Sequence, residues 1–263
     1  MTLVVGHRGA AAHAPENTME AFRLGVEMGA DAIELDVHLT RDGQLAVIHD
    51  ETLERTTDLQ GPVRELTMKE IRRADAGYRF SASDGSFPFR GKGLKVPTLP
   101  EVLRSLPAGT GLVVEIKPAA AAAPTVEALR SAKVRAAGAV SVISFDQRAI
   151  DEAHELDPEL STGYLLVPFE AFDAGLTWAV QRGHSAVHVY EGDLGVDPAP
   201  KLNQARAYGL QVGCYVVNDP QRMQHLAAYG LWAFVTDWPD VGRQTLGPRG
   251  APPSAQPGAQ SSS

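Results

Sequence analysis

Cysteine, long apolar runs and clustered positive charge are all scarce in this 263-residue chain, and each scarcity excludes something. The single cysteine, Cys214, cannot form an internal disulfide, so the chain neither needs nor reports an oxidising compartment. No apolar run reaches the roughly 20 residues that a membrane-spanning helix requires, so no stable membrane insertion is expected. Met1 leads almost directly into the apolar Leu3 to Val5, without the basic and then apolar stretches of an export signal, and the expected location is cytoplasmic. Asp and Glu outnumber Lys and Arg by 32 to 24, a formal net charge of -8 with the signs intermixed. That balance excludes nucleic acid as the main partner, because neutralising its phosphates takes clustered cations. Nothing in the sequence fixes an oligomeric state.

Short apolar, β-branched runs recur instead, with helical stretches between them. Eight strands are predicted, at Leu3 to Gly6, Ala32 to Val37, Leu112 to Ile116, Val140 to Ser144, Thr162 to Val167, Ala186 to Val189, Val212 to Val217 and Phe234 to Thr236. Near-continuous apolar character is how parallel strands covered on both faces read. Helices fit the gaps, for example Thr18 to Met28, Pro124 to Ala137, Asp146 to Leu156 and Pro220 to Tyr229. Eight such units in about 250 residues is the size of a TIM (β/α)₈ barrel. One extra strand, Leu45 to His49, follows the second after only Thr40-Arg41-Asp42-Gly43. Asp-Gly is a hairpin signal, and so short a link forces an antiparallel partner rising from the C-terminal mouth. A two-residue turn at Asp42-Gly43 would set His49 opposite Asp36; a shifted turn would set it opposite Glu34. A single barrel domain over residues 1–245 is expected, with an insertion over the mouth at about 50–96. Residues 246–263, rich in Pro, Gly, Ser, Ala and Gln, are expected to be disordered.

Glu34 and Asp36 lie two apart at the end of one strand, so both point to one side, and Glu115 and Lys117 repeat that spacing on another. Three converging carboxylates repel unless something positive sits among them. All-oxygen ligands favour Mg²⁺ or Ca²⁺; the plainer alternative is that the acids merely pair with Arg8 and Lys117. His7 ends the first strand and His49 the hairpin. A phosphodiester needs protons moved in opposite senses at its attacking and leaving oxygens, which two histidines can supply. Arg8 and Lys117 suit phosphoryl oxygens, one as a fork and the other as a point charge. Asn17 reads as a helix N-cap, with Glu20 three residues on. Glu16 is placed to orient an imidazole or to serve the cap. The insertion's aromatic and basic residues, among them Tyr78, Phe80, Phe87, Phe89 and Arg90, read as a lid packed on the barrel, with contact to a headgroup or a membrane surface as the alternative. His188 and Asn218 are placed to face the substrate, and His184 reads as a surface residue.

His7-Arg8-Gly9, Pro15-Glu16-Asn17-Thr18, Glu34-Leu35-Asp36-Val37, Thr40-Arg41-Asp42-Gly43, His49-Asp50, Pro97-Thr98-Leu99, Glu115-Ile116-Lys117 and Thr236-Asp237 together carry a resemblance. The chain resembles the glycerophosphodiester phosphodiesterases from residue 3 to about 240. The resemblance implies metal-dependent hydrolysis of small glycerophosphodiesters, of the glycerophosphocholine or glycerophosphoethanolamine type, to glycerol 3-phosphate and an alcohol. It implies His7 and His49 as the acid-base pair (His7 the base), Glu34, Asp36 and Glu115 as metal ligands, and Arg8 and Lys117 as phosphate contacts. Many members carry Trp-Thr-Val-Asn where this chain has Tyr215-Val216-Val217-Asn218. A lysophospholipase D activity on singly acylated lipids is the alternative, and a non-catalytic phosphodiester-binding barrel a more distant one.

Overall fold

The computed structural model describes residues 1–132 and 140–248. Among the described residues there are nine strands: β1 (Leu3–Gly6), β2 (Ala32–Leu39), β3 (Leu45–Val47), β4 (Gly111–Ile116), β5 (Val140–Ser144), β6 (Ser161–Leu165), β7 (Ala186–Tyr190), β8 (Gln211–Tyr215) and β9 (Ala233–Thr236). All but β3 pair in parallel, in the order β1-β9-β8-β7-β6-β5-β4-β2, and a β1–β2 pairing closes the sheet. This is the expected eight-stranded TIM barrel.

The helices are α1 (Met19–Glu27), α2 (Met68–Ile71), α3 (Leu99–Ser105), α4 (Ala122–Ser131), α5 (Gln147–Leu156), α6 (Phe172–Gln181), α7 (Ala199–Ala207), α8 (Pro220–Ala228) and α9 (Pro239–Leu246). Residues 133–137 of the helix expected over 124–137 lie outside the described residues, as do residues 249–263 of the expected tail.

β4 shows why the strands read as apolar runs: all six of its residues are buried. Leu112, Val114 and Ile116 pack outward against the helices, while Val113 joins Val5, Ala32, Ile143, Leu165 and Val235 in filling the barrel. Alternation then brings Glu115 inward one layer nearer the mouth. On β2 the same alternation sends Ile33, Leu35 and Val37 outward and Glu34 and Asp36 inward. The β2–β4 register sets Asp36 directly beside Glu115.

The hairpin forms, in a register that differs from both expected ones. Val37 faces Val47, His38 faces Ala46 and Leu39 faces Leu45. The link is a three-residue loop, Arg41-Asp42-Gly43, closed by Thr40 N–H donating to Gln44 O at 2.9 Å. Gly43 takes φ +73° there. One added loop residue moves the pairing by one and reverses which face each side chain meets. Continued regularly, β3 would aim His49 away from the acids. The strand stops at Val47 instead, and a bend at His49 and Asp50 turns the imidazole back.

The insertion has its own small core, with Leu53, Val63, Met68, Ile71 and Val96 packed on Ala46 and Ile48 of the hairpin. Its aromatic and basic residues largely pack on one another: Phe80 and Phe89 meet edge to face at 5.3 Å, and the Arg90 guanidinium lies over Tyr78 and Phe87. His184, expected at the surface, is buried between Thr162 and Asp151.

Candidate active site

The barrel mouth brings together all seven residues singled out in the sequence. Glu34, Asp36 and Glu115 are buried, and each offers an oxygen lying within 4.8 Å of the other two. Lys117 Nζ stands 2.5 Å from Glu115 Oε1 and 2.9 Å from Asp36 Oδ1. Arg8 Nε is 3.3 Å from Asp36 Oδ2, and the Arg8 backbone N–H donates to Glu34 Oε2 at 2.9 Å. Three carboxylates thus face two cations, and Arg8 also gives Nη1 to Glu16 at 2.7 Å. Pairing with Arg8 and Lys117 leaves the trio with excess negative charge.

The titration of the three acids shows the same excess. Burial, and then the charges of Asp36 and Glu115, push the Glu34 carboxyl well above its usual range against the pull of Arg8. Burial and Asp36 push Glu115 up to about 7, although Lys117 opposes them. Burial also works against ionising Asp36, but Lys117, Arg8, His49 and the Asn17 amide outweigh it and hold that carboxyl well below its usual range. Buried acids whose oxygens converge in this way suit a hard divalent cation, and the trio could hold one.

Each histidine has a carboxylate behind it. His7 Nδ1 donates to Asp237 Oδ1 at 2.6 Å, and Asn218 Nδ2 steadies the other Asp237 oxygen at 2.7 Å. β1 and β9 pair with Gly6 beside Thr236, which places Asp237 next to His7 across 230 residues of sequence. His49 Nδ1 donates to Asp50 Oδ1 at 2.7 Å, and His38 Nε2 donates to the His49 carbonyl at 3.0 Å. Both rings thereby keep Nε2 for a reactant. Burial, with Arg8 and Lys117, lowers the pKa of His49, while Asp36 and Asp50 act the other way.

The turn after β1 is tightly built. Arg8 takes φ +49° and Gly9 φ +93°. A Cβ on Gly9 would stand 2.5 Å from the Ala21 carbonyl carbon, so only glycine lets α1 pack this close. Asn17 is not the N-cap expected of it. Thr18 caps α1, its Oγ1 accepting from Ala21 N–H. Asn17, at φ +57°, gives Nδ2 to Asp36 Oδ2 at 2.7 Å and takes the Asp36 N–H on Oδ1. Asn218 holds Asp237 rather than standing free to meet a substrate. His188 is buried inside the barrel, between Gly163 and Gly213 of the flanking strands, and neither ring nitrogen finds a partner among the described residues.

The model of the glycerophosphoryl diester phosphodiesterase family matches residues 7–241, nearly the whole described chain. The chain belongs to that family. Within it, a glycerophosphodiester phosphodiesterase of Caldanaerobacter subterraneus subsp. tengcongensis is 31% identical over 246 residues, covering 91% of this chain and 96% of that protein. The crystal structure of a glycerophosphodiester phosphodiesterase from Agrobacterium tumefaciens superposes with a TM-score of 0.79 at 29% identity, over 93% of this chain and all of that one. An Oleispira antarctica phosphodiesterase, solved with its product sn-glycerol-3-phosphate, gives a TM-score of 0.80 at 25% identity, over 93% of this chain and 96% of that one. Family membership makes this chain a phosphoric diester hydrolase acting on small-molecule glycerophosphodiesters. Among the described residues no helix is long and apolar enough to cross a membrane.

Proposed function

We propose that this hydrolase releases glycerol 3-phosphate and an alcohol from glycerophosphocholine- or glycerophosphoethanolamine-type diesters, by proton transfer between two histidines beside a Mg²⁺ or Ca²⁺ site. The observation that carries the reading is the pairing of two carboxylate-backed imidazoles with one acidic trio. Glu34, Asp36 and Glu115 would hold the cation. When bound, it would offset their charge and polarise the phosphoryl group. Arg8 and Lys117 bind phosphoryl oxygens and align the phosphorus. One Nε2 takes a proton from the attacking oxygen as it bonds to phosphorus, and the other gives a proton to the alcohol oxygen as its bond to phosphorus breaks; the attacker is either water itself or a hydroxyl of the glycerol moiety, in which case water then opens the cyclic phosphate to give glycerol 3-phosphate. The resemblance names His7 as base and His49 as acid.

A diester with a nitrophenol leaving group needs no acid, so it tests that order. His49→Ala is expected to abolish turnover of glycerophosphocholine while keeping the fold and much of the nitrophenyl turnover, and His7→Ala to lose both. Unchanged glycerophosphocholine turnover in His49→Ala, or in excess EDTA, would sink the mechanism.

The lysolipid reading is supported by Val167, Phe169 and Val196, exposed on the loops after β6 and β7, with Phe169 88% and Val196 90% accessible. Turnover of a lysophosphatidylcholine exceeding that of glycerophosphocholine would favour it.

A further inference from the structure

Arg55 lies outside the seven residues above, in the loop that opens the insertion, yet its guanidinium meets two carboxylates behind the site, Asp50 and Glu16. Nε and Nη2 donate to the two oxygens of Asp50 at 2.7 and 3.0 Å. Nη1 and Nη2 donate to the two oxygens of Glu16 at 2.7 Å each. Asp50 Oδ1 is also the acceptor for His49 Nδ1, and Glu16 Oε1 the acceptor for Arg8 Nη1. One planar cation therefore closes a chain running from His49 through Asp50, Arg55 and Glu16 to Arg8.

We propose that Arg55 is a positioning residue for the reaction, setting the His49 imidazole and the Arg8 guanidinium in one frame. The proposal rests on the roles given above to His49 and Arg8. The geometry is specific to arginine, because only a fork can be bidentate towards two carboxylates at once. Charge gives a second reason. Glu16 is shared between Arg8 and Arg55; without Arg55 it is left with Arg8 alone and competes with an anionic substrate for the donors of that guanidinium. The loss should therefore appear both in kcat, through His49, and in KM, through Arg8. The loop itself does not depend on this side chain. Leu53 and Thr57, on either side, are buried, and Thr57 bonds back to the Leu53 carbonyl through both its N–H and its hydroxyl.

Arg55→Ala is expected to keep the wild-type melting temperature while kcat/KM for glycerophosphocholine falls at least about tenfold, the low end of what losing a supporting partner costs. Guanidinium ion at a few tens of millimolar, small enough for the vacated space, should restore part of that loss, and sodium chloride at equal ionic strength should not. Arg55→Lys should recover little, because a point charge cannot span both acids. A kcat/KM in Arg55→Ala within about twofold of wild type, or a loss that guanidinium leaves untouched, would overturn the proposal. A readout independent of turnover separates this from failure of the catalytic reading. The His49 Nδ1 proton, assigned in NMR spectra by its absence from His49→Gln, should be slow to exchange in wild type and lost in Arg55→Ala. Its persistence would overturn the frame even in an active enzyme; its loss in a protein that hydrolyses no diester would leave the frame standing and refute the function.

Discussion

Replacing Glu34 by Gln separates cation binding from folding. Glu34 Oε2 accepts the Arg8 N–H at 2.9 Å, a bond that the amide oxygen of glutamine can keep. Oxygens of the trio lie within 4.8 Å of one another, where two full charges would repel by about 3.5 kcal/mol or more at an effective dielectric constant of roughly 20. Glutamine removes such repulsion, so the cation-free variant should melt at the wild-type temperature or above it. A cation at about 100 times its dissociation constant stabilises the wild type by about 2.7 kcal/mol, or about 5–10 °C for a chain of this size. Losing a charged ligand should weaken binding by at least about 100-fold, since even a supporting partner can be worth that much. At the same concentration the variant would gain only about 0.4 kcal/mol, a rise of about 1 °C. Thermal melts across a Mg²⁺ and a Ca²⁺ series, on protein first stripped with EDTA, read both quantities. A full rise in Glu34→Gln, or none in wild type with either ion, would refute the assignment of the trio as the cation site.

Two further predictions concern residues around the site. Burial alone lowers the His188 pKa to about 4, below its ordinary value of about 6.5; between those values the unfolded chain binds the proton more readily, so stability falls as pH falls through that window and is unaffected above it. The full window amounts to about 3 kcal/mol, and His188→Leu should remove that part of the acid sensitivity; denaturant melts at pH 7 and pH 4.5 giving equal pH losses in both proteins would count against it. Thr18→Ala should cost about 1 kcal/mol of stability through its lost cap and leave kcat intact, whereas Asn17→Ala should cost about 2 kcal/mol and lower activity, because it strips a donor from the buried Asp36; equal activity in the two variants would contradict that division.

The barrel was legible because parallel strands buried on both faces must be apolar almost throughout, and strand period then fixes which residues turn inward. That local rule was enough to set Glu34 with Asp36 and Glu115 with Lys117 at strand ends. The capping residue was misassigned by one position. Asn17 and Thr18 are both good caps by local chemistry, and only the approach of β2, which puts Asp36 against the Asn17 amide, decides between them. The hairpin register failed for a related reason: Asp-Gly fits a two-residue or a three-residue loop, and choosing between them depends on how β3 packs on the insertion.

By itself the sequence determined the barrel and the inward pairs Glu34 with Asp36 and Glu115 with Lys117, since these follow from strand period, and it marked His7, His49 and Arg8 as candidates by residue type and resemblance. Only the tertiary structure decided what stands behind them. Asp237 reaches His7 because β9 closes the barrel against β1, His49 is returned to the acids by a bend rather than by strand alternation, and Arg55 meets Glu16 across 39 residues. Such partners are set by ring closure and loop packing, which no periodicity in one stretch of chain encodes.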